Sequence, residues 1–369
     1  MGFFSMFNKE EARALGIDIG SSAIKIVQVK KKNGQAVLET YGELALGPYA
    51  GVGIGQAVAL PPDKLATALS DLMKEKEVAV TTKKSGLSIP ASSSLMSVIE
   101  MPEVSAKQLE VMVPIEARKY IPVPIAEVML DWSVVPKSTS RPQEIPESEE
   151  APNPALAKID VLVVAIHKET IAHYQTIAVQ AGLDVGFFEI EIFSTMRAVL
   201  EETLRPVLIM DMGAASTKLY VVERGMVRAS HTINRGAQDI TGTLAKSLSI
   251  TNERAEIRKR EEGLLSSDKQ FSDVILLTLD YIFAEANNAL LAYEKKYNQA
   301  VSKVYMVGGG AALKGIAEVA KNNLKTEAEL GSPFNKVAAP AFLENVLRAT
   351  GPEFAVAIGL ALRRLAEEG

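Results

Sequence analysis

The chain of 369 residues contains no cysteine. Disulfides, thiolate metal centres and cysteine nucleophiles are thereby excluded, and the composition suits a reducing, cytoplasmic compartment. Histidine is nearly as scarce. Of His167, His173 and His231, the first two are six residues apart and do not share a helix face. All three read as ordinary structural or surface residues, and no zinc site is expected. There is no basic excess either: 40 Lys and Arg stand against 45 Asp and Glu, a net charge of −5. Nucleic acid is therefore not an expected partner, because phosphate contacts need Lys and Arg. Long hydrophobic runs are missing as well. Residues 161–166 fall far short of the ~18–20 that a membrane-spanning helix needs. Residues 1–7 are apolar but shorter than a secretory core, and read as a frayed end or a short membrane or partner contact. What remains is 47% hydrophobic and 23% charged, ordinary for a soluble protein, and long enough for two to three domains.

The pattern along the chain alternates strands and helices. Strands are expected at 16–20 and 23–29, with 37–41 beside them. Residues 44–62 carry Gly47, Pro48, Gly51, Gly53, Gly55, Pro61 and Pro62 and read as a loop. Gly51-Val-Gly-Ile-Gly55 lacks a clear preceding strand and is not taken as a phosphate loop. A helix follows at 63–77, then strands at 86–89 and 95–101. Ser105 with Gln108 forms a capping box for a helix toward Tyr120, which Pro114 should kink or shorten. A strand at 128–135 precedes a stretch from 136 to 154 with five prolines and four glutamates, whose composition builds no core. A strand at 159–166, a helix at 169–181 closed by Gly182, and a strand at 185–190 complete the first half. After Pro206 come strands at 207–211, 218–222 and 227–232, helices at 240–248, 252–262 and 271–297, a strand at 304–307 and a last helix at 355–365.

An internal repeat carries the chemistry. Ile17-Asp18-Ile-Gly20-Ser21-Ser22-Ala23-Ile24-Lys25-Ile26 matches Met210-Asp211-Met-Gly213-Ala214-Ala215-Ser216-Thr217-Lys218-Leu219. In both, Gly follows Asp by two and Lys follows it by seven. Two copies 193 residues apart point to two similar subdomains facing each other. Glycine lets the backbone approach a ligand closely, and successive turn N–H groups make a concavity for phosphate oxygens. Ser21, Ser22, Ser216 and Thr217 add hydroxyl donors. Asp18 and Asp211 supply hard oxygen for Mg2+, usually through water. Lys25 and Lys218 can neutralise phosphate. A third element, Val304-Tyr-Met-Val-Gly308-Gly309-Gly310-Ala-Ala-Leu313-Lys-Gly315, is a strand, a glycine turn and a helix start that present backbone amides to an anion or a base edge.

These three motifs, in this order, resemble those of the actin-like ATPase superfamily. A closer resemblance, over nearly the whole chain, is to the PilM family of cytoplasmic type IV pilus assembly proteins. Met101-Pro-Glu-Val-Ser and Glu116-Ala-Arg-Lys-Tyr-Ile-Pro-Val-Pro124 are similar to that family's subdomain 1C. Ala181-Gly-Leu183 and Glu189-Ile-Glu191-Ile-Phe193 resemble the segment entering its first connecting helix. Ala255-Glu256-Ile-Arg-Lys259 resembles the helical motif along ribose and adenine, where Glu256 can accept ribose hydroxyls and Lys259 can cover a ring face. The chain departs from the family pattern at Ile192, where Pro is usual, and at Ala237, where a second Gly is expected after Gly236.

The resemblance implies an α/β, actin-like ATPase (ribonuclease H-like) fold: two similar domains around a nucleotide cleft, with an inserted 1C subdomain. Subdomain 1A would take 1–100 and 169–205, subdomain 1C 101–168 with an excursion at 136–157, the second domain (2A/2B) 206–352, and a helix returning to 1A 353–369. It implies ATP and Mg2+ as cofactors, with turnover slow or absent. Asp18 and Asp211 would hold the metal and place water, and Glu191 is the candidate base. The nucleotide would lie against Gly20, Ser21, Ser22, Lys25, Gly213, Ala214, Thr217, Gly236, Glu256, Lys259, Gly308, Gly309, Gly310 and Leu313. The implied partner is the cytoplasmic N-terminal tail of a PilN-like inner-membrane protein, in a groove between 1A and 1C. Membrane association would run through that partner at the inner face, and a homo-oligomer is compatible with the fold. The alternatives are an FtsA-like filament-forming division protein and a small-molecule kinase of the same superfamily. The ending Leu362-Arg-Arg-Leu-Ala-Glu-Glu-Gly369 is not the linker and amphipathic helix expected of FtsA.

Overall fold

The computed structural model describes residues 11–136, 157–201 and 204–368. The apolar stretch at 1–7 and nearly all of the proline-rich excursion lie outside the described residues.

The sequence repeat becomes a repeat of topology. In the first half, β1 (Arg13–Ile19), β2 (Ala23–Lys32) and β3 (Gln35–Ala45) form an antiparallel meander, and β4 (Lys84–Ile89) and β8 (Asp184–Ile190) add in parallel, giving the order β3-β2-β1-β4-β8. In the second half, β9 (Val207–Met212), β10 (Thr217–Glu223), β11 (Met226–Ile233), β12 (Val304–Val307) and β13 (Ala328–Leu330) repeat that pattern as β11-β10-β9-β12-β13. Register matches too: Asp18 stands opposite Lys25, and Asp211 opposite Lys218.

Strand alternation decides what each face does. Ile17, Ile19, Ile24 and Ile26 enter a core shared with α1 (Pro62–Lys74) and α3 (Lys168–Gln180). Asp18 and Lys25 therefore lie on the other face. In the second half Met210, Met212 and Leu219 join a core with α5 (Ala237–Leu248), α7 (Lys269–Tyr297) and α8 (Ile316–Leu324), which leaves Asp211 and Lys218 on the opposite face. Those two faces share a further core, built of Val27, Val29, Ile209, Tyr220 and Val222 with two helices, α4 (Glu191–Val199) and α10 (Ala355–Glu367). Residues 355–361 are all buried, as expected of a helix that is apolar all round and enclosed on all sides.

Helix α7 is 29 residues long and apolar enough, by length and composition, to cross a membrane. Its stripe of Phe271, Ile275, Leu279, Ile282, Phe283 and Ala286 instead fills the second core.

Between β4 and β8 the chain inserts a third, antiparallel sheet, β5 (Ser94–Pro102), β6 (Val128–Val135) and β7 (Lys158–His167), in the order β5-β7-β6. One face packs α2 (Ala106–Ala117) through Ile159, Val161, Val163 and Ala165. The Gln108 side chain accepts the Ser105 N–H at 3.1 Å, which closes the start of α2. Pro114 stays inside the helix, which ends three residues later. From the second half, buried Arg228 reaches Asp160 of this sheet at 3.6 Å and Glu223 at 2.9 Å.

Candidate functional site

The two glycine turns have the same geometry. Gly20 N–H donates to Ala23 O and Gly213 N–H to Ser216 O, each at 3.0 Å. Both turns open onto one cavity of about 880 Å³ between the halves. Asp18, Gly20, Ser21, Ser22, Lys25 and Glu191 line it from one side. Asp211, Gly213, Ala214, Ser216, Lys218, Glu256, Lys259, Gly308, Gly309, Gly310 and Leu313 line it from the other.

Its electrostatics follow from burial. The Asp18 carboxyl is pushed up to about 6 by desolvation, opposed by Lys25 and reinforced by Glu191. Ser88 Oγ donates to Asp18 Oδ1 at 2.8 Å and fixes its direction. Asp211 is likewise raised by burial, with Lys218 opposing. Desolvation works against the Lys218 ammonium, yet Glu191 and Asp211 together hold its pKa above the ordinary lysine value. That ammonium bridges the halves: Glu191 Oε1 lies at 2.5 Å and Asp211 Oδ2 at 3.6 Å. The same Glu191 oxygen accepts the Ala91 N–H at 2.8 Å. Among the described residues lining the cavity, six carboxylates (Asp18, Glu43, Glu191, Asp211, Glu256, Glu353) face four cations (Lys25, Lys218, Lys259, Arg260), a formal charge of −2. Such a wall repels a bare polyphosphate and suits one that carries a divalent cation. Two carboxylates and neighbouring hydroxyls are hard oxygen donors, the set that Mg2+ takes. Among the described residues no three His, Asp or Glu side chains gather closely enough to hold a metal unaided.

The remaining expected residues sort as follows. Gly308 has φ +83°, and a Cβ there would stand 2.5 Å from Asp211 Oδ1; only glycine lets the third turn touch the second aspartate. Glu256 and Lys259 of α6 (Asn252–Glu261) are a buried pair at 2.6 Å. The Glu256 carboxylate also accepts Thr241 Oγ1 at 2.6 Å and Arg260 Nε at 2.7 Å. Desolvation acts to raise it, and Lys259, Thr241 and Arg260 override that and hold it low. Thr217 does not line the cavity. Strand alternation sends it to the core face, where it is fully buried and its hydroxyl donates to Arg235 O at 2.9 Å. Its repeat partner Ile24 is a core residue, and that match was the available signal. Gly236 does not line the cavity either. It lets the start of α5 abut the second turn, where Ala237 N–H donates to Gly213 O at 2.9 Å.

Other lining residues carried no motif. Tyr174, Glu43 and Glu353 belong to this group, and His173 lines the cavity with its side chain more than half exposed. The Gly51–Gly55 stretch follows a single 3-10 turn (Gly47–Ala50) rather than a strand, and brings Gly55 against the Glu256 carboxylate. Beyond it, Val58 N–H donates to Ser21 O at 2.9 Å and Ala57 N–H to the Gln238 side chain at 3.0 Å, so this loop touches both halves.

Comparison with known proteins fits this architecture. The family model for the type IV pilus assembly protein PilM matches residues 16–365. The chain belongs to the PilM family. A solved PilM-PilN type IV pilus biogenesis complex superposes with a TM-score of 0.76 at 27% identity, over 95% of this chain and 98% of that one. The cell division protein FtsA of Staphylococcus epidermidis is 24% identical over 364 residues, covering 88% of this chain and 75% of FtsA. MreB5 of Spiroplasma citri bound to AMPPNP superposes with a TM-score of 0.51 at 12% identity over 94% of each chain, a likeness of fold. This PilM-family chain thus has the actin-like architecture, and its family works in type IV pilus assembly.

Proposed function

We propose that the cavity takes Mg2+-bound ATP, and that the protein is a nucleotide-responsive scaffold of type IV pilus assembly on the cytoplasmic side of the inner membrane. One observation carries this: two Asp–Gly turns of identical hydrogen bonding, one from each half, open onto a single cavity with a lysine beside each aspartate. A ligand gripped by both turns stabilises whichever arrangement of the halves brings them together, which is how binding becomes a conformational signal. Asp18 and Asp211 would hold the Mg2+, which neutralises phosphate charge when bound. Lys25 and Lys218 supply cations, and the turn amides and Ser21, Ser22 and Ser216 supply donors. Glu191, the candidate base, shares one oxygen between Lys218 and the Ala91 amide. A base so engaged supports slow turnover or none.

The PilM-PilN complex among the solved relatives supports a PilN-like cytoplasmic tail as the partner. In this reading the tail docks between the first half and the inserted three-stranded unit, and membrane contact runs through it. The test is a calorimetric titration of the full chain with MgATP, joined to a pull-down with a PilN-like N-terminal peptide. Binding in both arms is the expected result. Absence of heat with MgATP sinks the nucleotide reading, and failure to retain the peptide sinks the partner reading.

A further inference from the structure

Glu353 belongs to no motif, yet its position answers that of Glu191. The last strand of the first sheet leads into α4, which Glu191 opens; the second half leads into α10, and Glu353 stands two residues ahead of that helix. Glu191 reaches Lys218, the hairpin lysine of the second half. Glu353 reaches Lys25, the hairpin lysine of the first half, at 3.9 Å. Pro352 O accepts the Gly308 N–H at 2.8 Å, which anchors Glu353 beside the third glycine turn of the second half. The two ion pairs therefore cross the cleft in opposite directions, related by the internal repeat.

The Lys25–Glu353 pair is well buried, with side-chain exposures of 12% and 15%. Glu43, 31% exposed, adds a second carboxylate 3.7 Å from the same ammonium. A buried ammonium between two carboxylates is strongly held, because little water screens it. A phosphate oxygen offered to Lys25 must therefore displace them.

We propose that Glu353 is a positioning residue that holds Lys25 across the cleft and gives it up to phosphate when nucleotide binds, so that it acts as a brake on nucleotide affinity. The proposal rests on the nucleotide reading above. Desolvation raises the Glu353 carboxyl, with Glu43 and Glu256 reinforcing this, while Lys25 first and then Arg260 oppose it. Losing Lys25 to phosphate leaves a buried carboxylate without the ammonium it pairs with, supported only by the more distant charge of Arg260, and that cost is the brake.

The test is a double-mutant cycle on the full chain, titrated calorimetrically with MgATP: wild type, Glu353→Gln, Lys25→Met and the double variant. Glu353→Gln keeps the shape and removes the charge, and is expected to bind MgATP about threefold more tightly or better. In the Lys25→Met background the same change is expected to give no gain, a non-additivity that a merely structural role does not produce. Glu353→Asp keeps the charge with a shorter reach; should the glutamine variant fail to fold, a smaller gain that also vanishes without Lys25 supports the proposal. Wild-type binding with an unchanged or weaker Glu353 variant, or an equal gain without Lys25, overturns the proposal alone. No binding by the wild type overturns the nucleotide reading and this proposal with it.

Discussion

Gly359 of α10 presses on Ser194 of α4: a Cβ on the glycine would stand 1.9 Å from the serine carbonyl oxygen. The two helices meet backbone to backbone at the centre of the core shared by both halves. That contact leaves no room for a side chain between the two helices.

Gly359→Ala should cost about 3 kcal/mol of stability, because backbone on both sides has to move. A control lies in α5. Around Gly242 there is open space, so Gly242→Ala should raise stability by about 0.5–1 kcal/mol through helix propensity. Urea denaturation of both variants reads the contrast. Equal midpoints would mean that the helix crossing is looser than its geometry implies.

Asp18→Ala and Asp211→Ala should each abolish the calorimetric signal for MgATP while circular dichroism stays native. Each removes one of two opposed hard-oxygen donors, and neither side chain belongs to an apolar core. Unchanged affinity in both variants removes the site.

Asp18 also predicts a pH dependence. Its folded pKa of about 6 lies above the ordinary aspartate value of 3.8. Between those values the folded chain keeps a proton that the unfolded chain has lost, so stability falls as pH rises through the window and stays reduced above it. Asp18→Asn should therefore be more stable than wild type near pH 7, by up to about 2 kcal/mol for this half-buried group, with the gap closing toward about pH 4. Thermal melts across that range check it; a gap that grows on acidification reverses the sign and refutes the assignment.

Gly308→Ala should impair both fold and site. The added carbon meets Asp211 Oδ1 at 2.5 Å and Met212 O at 2.7 Å from a left-handed backbone. About 1–3 kcal/mol of destabilisation is expected, together with weaker MgATP binding, because Asp211 is displaced. Denaturation and calorimetry on the same preparation separate the two effects.

Much of this was legible because the repeat wrote it twice. The shared spacing of Asp, Gly and Lys pointed to two similar subdomains facing each other, and the strands then set Asp18 opposite Lys25 and Asp211 opposite Lys218. The Thr217 reading failed because hydroxyl chemistry was weighed without strand parity; aligned with Ile24, the residue belongs to the core. Glu353 and Ser88 were illegible for another reason. Each acts through a partner distant in sequence, Ser88 on Asp18 and Glu353 on Lys25, and only the crossover of the sheets brings them together. Strand β13, three residues long, is too short for any periodicity to declare.

The loop after β3 is tied twice to the first turn, through Leu46 N–H to Ser22 O and Val58 N–H to Ser21 O, and to the second half through Ala57 and Gln238. When the halves part, the first two bonds can persist and the third must break, so the loop departs with the first half. Any opening of the cavity therefore has to part this loop from one wall, at the Ala57–Gln238 hydrogen bond and where Gly55 meets the Glu256 carboxylate.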